Sequence, residues 1–183
     1  DIVKPRLSWQ LSSTSKGAKQ TAYQIICESE KCLIWDSGKV KSSQSLHIEY
    51  AGVNLVSCQR VEWKVRIWDG KNKASDFSAM SFWEMGLLNR KDWQASWISS
   101  SLVGGYRTQT PIPYFAKSFQ ISKTVVKARL YATALGLYEA SINGKEVTAD
   151  IFTPGWPDFK RRTLYQTYDV TKLLRKGKNV IGS

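Results

Sequence analysis

Histidine occurs once, at His47, and cysteine three times, at Cys27, Cys32 and Cys58, in 183 residues. With one histidine and no second cysteine pair, the cysteines have no full set of metal-ligand companions at useful spacing, which argues against a His/Cys metal centre. The odd cysteine count argues against a complete disulfide framework. Cys27 and Cys32 could pair, but small separate thiols are the simpler reading. No apolar run approaches the roughly 20 residues that a membrane helix needs, and the start shows no signal-peptide pattern, so no membrane partner is expected. Internal repeats, low-complexity segments and helical periodicity are also missing. Acidic residues are scarce, 15 against 27 Lys and Arg, for a net charge of +12. Residues 93–183 contain only Glu139, Glu146, Asp150, Asp158 and Asp169 as carboxylates.

What the chain does have is short alternating segments with turn signals between them. Leu7, Trp9 and Leu11 alternate in a first strand, Pro5 to Leu11, and Ser12 to Lys19 is a polar turn. Tyr23, Ile25 and Cys27 share a face, Leu33-Ile34-Trp35 is closed by Asp36-Ser37-Gly38, and Leu46 to Tyr50 alternates again. The clearest strand is Val61 to Ile67, with Val61, Trp63, Val65 and Ile67 facing inward; Asp69-Gly70 turns it and Ser78 to Met85 returns. Strands are further predicted over Pro113 to Phe119, Val126 to Ala134 and Thr163 to Val170, with a short helical turn after Thr171. Such spacing predicts an all-β chain built of antiparallel β-sandwiches.

The charge is uneven, +4 over residues 1–92 and +8 over residues 93–183. A basic domain suggests an anionic partner, yet cations alternate with apolar residues, as in Val126-Lys127-Ala128-Arg129-Leu130. A solvated sheet face is the simpler account. Gly86 to Ala95 is the candidate linker, and Leu87, Leu88, Trp93 and the following Trp97 predict that it packs across a firm interface.

The most informative stretch is Ala132 to Thr171. Tyr138, Ala140 and Ile142 alternate with Glu139, Ser141 and Asn143, the period of a half-buried strand, and Asn143-Gly144 suits a type I′ hairpin turn. Thr153-Pro154-Gly155-Trp156-Pro157-Asp158-Phe159-Lys160-Arg161-Arg162 then leaves any regular pattern, because two such close prolines cannot sit in a central strand. GLYEASINGKEV, FTPGWPDFKRRTLYQTYDVTKLL and KGKNVIG, taken in order, resemble the N-terminal β-sandwich of bacterial α-L-rhamnosidases, from about Trp93 to the end. The residues before it, with Trp9 early and Val61 to Asp69 late, resemble the fibronectin type III-like module found ahead of that sandwich. Where such modules often carry a corner tyrosine, the chain has Arg60-Val61.

The resemblance implies residues 1–88 as a fibronectin type III-like sandwich and residues 89–183 as a jelly-roll-like sandwich, truncated at its C-terminal edge. The start at Asp1 and the close in the apolar strand Asn179 to Ser183 suggest a piece of a longer chain. It further implies a multidomain glycoside hydrolase whose catalytic carboxylates lie in a later (α/α) barrel, the expected partner of this region. Hydrolysis with inversion needs two carboxyls about 6.5–9.5 Å apart, one of them sheltered and protonated, and none of the five in residues 93–183 reads as sheltered. No catalytic residue and no metal ligand is therefore assigned. Trp156, Asp158, Arg161, Arg162 and Tyr165 are the candidates for contact with rhamnose-containing carbohydrate or with a neighbouring domain, since rings stack on sugars while Asp and Arg bond hydroxyls. The rings could equally pack the loop onto its own sandwich or onto the barrel. Calcium enters only through the family, some members of which hold rhamnose through it. A self-standing carbohydrate-binding module is the alternative. Lys160 to Tyr165 could line a single-stranded nucleic acid, but no nucleic-acid motif is present and no such partner is expected. The compartment is open, with periplasm or secretion preferred.

Overall fold

The computed structural model describes residues 2–102, 104, 105, 107 and 110–183. Val103, Tyr106, Thr108 and Gln109 lie outside them. The chain divides into two compact units, Asp1–Ser96 and Trp97–Ser183. Among the described residues there is no α-helix, only single 3-10 turns at Arg90–Asp92 and Thr171–Leu173.

In the first unit, β1 (Arg6–Leu7), β2 (Ala22–Ser29), β3 (Cys32–Asp36), β4 (Ile48–Glu49), β5 (Arg60–Trp68) and β6 (Ser81–Glu84) form two antiparallel sheets, β3-β2-β5-β6 and β1-β4. Tyr23, Ile25 and Cys27 from β2 meet Val61 and Val65 from β5, and Leu7 and Ile48 close over them from the smaller sheet. Period-2 alternation thus gives each sheet one apolar face, and two such faces make a sandwich. Trp63 and Ile67 pack against the same core, as the alternation of β5 predicts. The first strand is shorter than its pattern, since only Arg6–Leu7 pairs in register and Leu11 is exposed. Trp9 still reaches the core, edge-on to Tyr23 at 5.1 Å, with its Nε1 donating to Gln20 Oε1 at 3.0 Å.

The cations of β5 lie on its outer face. Arg66 sits over the rings of Trp68 and Phe77, and Lys64 over Phe77, so their stems cover apolar surface while the charge stays in water. No disulfide forms. Cys27 is buried and Cys32 exposed, and burial pushes the Cys27 thiol up to about 12. The predicted linker is fixed to the first unit in part, at Leu88, whereas Trp97 is exposed. Leu88 packs on its core and donates its N–H to Ser57 Oγ at 2.7 Å.

In the second unit, β7 (Ala116–Ile121), β8 (Arg129–Ala132), β9 (Ser141–Ile142), β10 (Lys145–Glu146), β11 (Gln166–Asp169) and β12 (Gly177–Gly182) form the sheets β10-β9-β12-β7 and β11-β8. Ile142 and Ile181 from the larger sheet face Leu130, Ala132 and Tyr168 from the smaller. The last strand, β12, lies between β9 and β7, with Gly177–Gly182 paired to Ala116–Ile121 and Ile181–Gly182 to Ser141–Ile142. Its central place follows from Val180, whose carbonyl and amide both bond Asn143 of the β9–β10 turn.

Two carboxylates link stability to pH. Ser57 and Asn89 donate hydrogen bonds to Asp92, and Thr171, through hydroxyl and amide, together with Arg129 at 2.9 Å, stabilises the Asp169 anion; both carboxyls are held below the usual range. Because the folded values lie below the unfolded one, the stabilisation is complete above about pH 3.9 and is lost as pH falls through the depressed values. The melting temperature should therefore drop below about pH 4, and the double change Asp92→Asn with Asp169→Asn should flatten that drop. An unchanged slope would count against these bonds.

Candidate functional site

The loop between β10 and β11 is anchored before it is decorated. Tyr138 N–H donates to the Thr153 carbonyl at 3.0 Å, and Thr153 Oγ1 donates back to the Tyr138 carbonyl at 3.0 Å. Thr153 and Pro154, joined by a cis peptide bond, are buried at this root. Tyr138 is held in turn by its hydroxyl, 3.0 Å from that of Tyr168, and burial together with this neighbour pushes its phenol above the ordinary range. Gly155 follows at φ 107°, a backbone conformation open to glycine and few others.

Beyond the root the chain turns outward. The Asp158 carbonyl accepts the N–H groups of Arg161 and Arg162 at 2.9 and 3.0 Å, and its Oδ1 accepts that of Lys160 at 3.1 Å. Asp158 makes this turn because its short carboxylate reaches the backbone two residues on. The Arg161 guanidinium lies 3.5 Å from Asp158 Oδ2 with both side chains largely in water, a pair worth under about 1 kcal/mol. Trp156 stands edge-on to Phe159, ring centroids 5.6 Å apart, and is 74% exposed.

Of the five residues predicted from the sequence, Trp156, Asp158, Arg161 and Arg162 are thus gathered on one exposed loop. Tyr165 is half-buried at the entry to β11, its ring 6.1 Å from that of Tyr131 on β8. The Trp156 ring is not spent on packing the loop to its own sandwich. All five carboxylates of the second unit are exposed, and none has the apolar shelter that raises a general acid. Among the described residues no three His, Cys, Asp or Glu side chains come together as a metal site would require. No helix among them is long and apolar enough to cross a membrane.

The residue that sequence reasoning missed is Asn179, fully buried beneath the β9–β10 turn. Its Oδ1 accepts from Arg175 N–H at 3.0 Å and from Asn143 Nδ2 at 2.9 Å, while its Nδ2 donates to the carbonyls of Arg175 at 2.7 Å and Gly177 at 2.9 Å. Four bonds from one amide fix the chain entering β12. An asparagine amid the apolar residues of a strand is the only signal that could have shown it.

Residues 1–89 match the family model described as a Rha78A-like N-terminal immunoglobulin domain, and residues 123–183 match that of the alpha-L-rhamnosidase N-terminal domain. The chain is 41% identical over 192 residues to an alpha-L-rhamnosidase of Formosa agariphila, covering 98% of this chain and 21% of the relative. It is also 41% identical over 194 residues to one of an Alteromonas species, covering 99% and 21%. Among solved structures, the alpha-L-rhamnosidase from Dictyoglumus thermophilum superposes with a TM-score of 0.91 at 40% identity, over 100% of this chain and 23% of that one. That from Aspergillus terreus gives 0.88 at 32% identity, over 98% and 21%. The chain spans about a fifth of the length of the curated relatives it matches. With an immunoglobulin-like sandwich followed by a second sandwich, each matched by its own family model in this order, the chain belongs to the N-terminal region of the alpha-L-rhamnosidase family.

Proposed function

We propose that this chain is a non-catalytic accessory region of an α-L-rhamnosidase-like glycoside hydrolase, and that it scaffolds the (α/α) barrel that removes terminal α-L-rhamnose from glycans or glycosides. The observation that carries the reading is coverage: nearly all of this chain corresponds to about a fifth of proteins named alpha-L-rhamnosidase. The exposure of every carboxylate in the second unit supports it, because a general acid needs shelter from water. Trp156, Asp158, Arg161 and Arg162 would form the contact with the barrel, and Tyr165 would brace the loop at its base. A large exposed aromatic beside arginines is the composition of an interface anchor. Within the first unit, Trp9 and the Val61 to Asp69 strand favour a fibronectin type III-like subtype of the immunoglobulin sandwich.

The same exposed ring also favours direct contact with carbohydrate, as in a self-standing binding module. Calcium has no part in this reading, since Asp158 is the one carboxylate of the loop between Thr153 and Tyr165 and its oxygens already face Lys160 N–H and Arg161. The test supplies the barrel of a relative in trans to the 183-residue chain. Association should occur, and Trp156→Ala should weaken it about tenfold or more. Undiminished association by Trp156→Ala would overturn the assigned contact. Saturable binding of L-rhamnose, unaffected by a calcium chelator and abolished by Trp156→Ala, with no affinity for the barrel, would establish the module instead.

A further inference from the structure

We propose that the immunoglobulin-like unit carries a carbohydrate subsite of its own, a groove with room for one pyranose ring. The groove has a volume of about 450 Å³ and is lined by Arg6, His47, Trp83 and Glu84 together with Ile2, Pro5 and Met85. That volume lies within the roughly 300–1,000 Å³ of small-molecule sites.

The fold brings these side chains from both layers of the sandwich. Arg6 stands on β1, opposite Glu49 in register, and His47 immediately precedes β4. Trp83 and Glu84 come from the end of β6 in the other sheet. Trp83 is held from behind: its Nε1 donates to Met85 Sδ at 3.3 Å, and its ring meets Tyr50 edge-on at 6.0 Å. A flat apolar wall is thereby fixed before any ligand arrives, which lowers the entropy lost on binding. His47 adopts φ 56° and is kept there by donating its N–H to Ser8 Oγ at 3.0 Å.

The chemistry narrows the ligand. Arg6 and His47 beside one ring do not suit an apolar guest. A carboxylate among the lining groups opposes a plain anion, and the arginine opposes a plain cation. A ring with apolar C–H faces and hydroxyls at its rim matches all four. The ring lies against Trp83, guanidinium N–H groups donate to hydroxyl oxygens, and the imidazole donates or accepts.

The test labels the 183-residue chain with 5-fluorotryptophan, which gives one ¹⁹F signal for each of its eight tryptophans, with Trp83 and Trp156 assigned by Trp83→Phe and Trp156→Phe. Methyl α-L-rhamnopyranoside and methyl α-D-glucopyranoside are titrated into the tens of millimolar, the range of affinities near 1 mM. The Trp83 signal should shift saturably with at least one of them. Arg6→Ala and His47→Asn, the latter tolerant of positive φ, should each weaken that binding at least fivefold with the melting temperature unchanged. A Trp83 signal that stays put with both sugars, or saturable shifts equally strong in both variants, overturns the inference. A saturable shift confined to Trp156 also overturns it, while leaving the reading of the Trp156 loop standing.

Discussion

Gly52→Ala should cost the first unit about 3 kcal/mol or more, at or beyond the upper end for overpacking one methyl group. The added Cβ would fall 2.6 Å from the Ile34 carbonyl oxygen, 2.6 Å from Trp35 Cβ and closer still to the Tyr50 hydroxyl. Two of those three neighbours cannot swing aside, being backbone or the root of a side chain. The third is tied down, since Tyr50 Oη donates to the Val53 carbonyl at 3.0 Å and its ring packs edge-on to Trp35 at 5.2 Å and Trp83 at 6.0 Å. The Ile34 carbonyl also accepts Val53 N–H at 3.2 Å, so moving any one of these groups strains the others. Gly70→Ala is the control, because a Cβ there meets open space and should change stability by under about 0.5 kcal/mol. Urea titration of both variants checks the pair; equal midpoints would show that the Gly52 contact relaxes freely.

Asn179→Leu should destabilise the second unit by about 3–5 kcal/mol, the penalty of about 1–3 kcal/mol for each buried group left unpaired applied to more than one group. Leucine preserves the volume but removes the acceptor for Arg175 N–H and the donors to the carbonyls of Arg175 and Gly177. Asn143→Gly should be milder. It keeps a residue suited to φ 54° in the turn and loses only the side-chain bonds to Leu173, Asn179 and Val180. Amide exchange at Ile142, Tyr168 and Val170, the buried centre of this unit, reads the loss directly. Protection unchanged in Asn179→Leu would mean that water replaces the amide without cost.

The inward faces of β2 and β5 were legible because one face of each is buried, which imposes period-2 alternation on the sequence. Asn143-Gly144 was legible for a different reason: both residues have positive φ, 54° and 76°, and their types advertise it. The hairpin joining β2 to β3 needs the same backbone at Glu30 and Lys31, φ 49° and 66°, but neither residue type signals it. Leu11 and Leu46 continue an alternating pattern past the point where pairing stops, and both are exposed; pattern reports hydrophobicity, while tertiary pairing sets strand length. The centrality of β12 could not be read locally, since it depends on partners some 60 and 40 residues earlier. For the candidate site, composition picked out the loop from Trp156 to Arg162. It could not show that the Trp156 ring faces solvent or that Tyr165 rests on Tyr131, because both depend on how the loop root at Thr153 is tied to Tyr138.

The proposal that these two sandwiches hold no reaction centre is tested most directly by incubating the purified chain with an aryl α-L-rhamnopyranoside and following release of the aryl alcohol. No release above the buffer rate is expected at any pH between 4 and 8, roughly the span over which carboxylate pairs act as acid and base. Release that disappears when one of Glu139, Glu146, Asp150, Asp158 or Asp169 is changed to its amide would contradict the account.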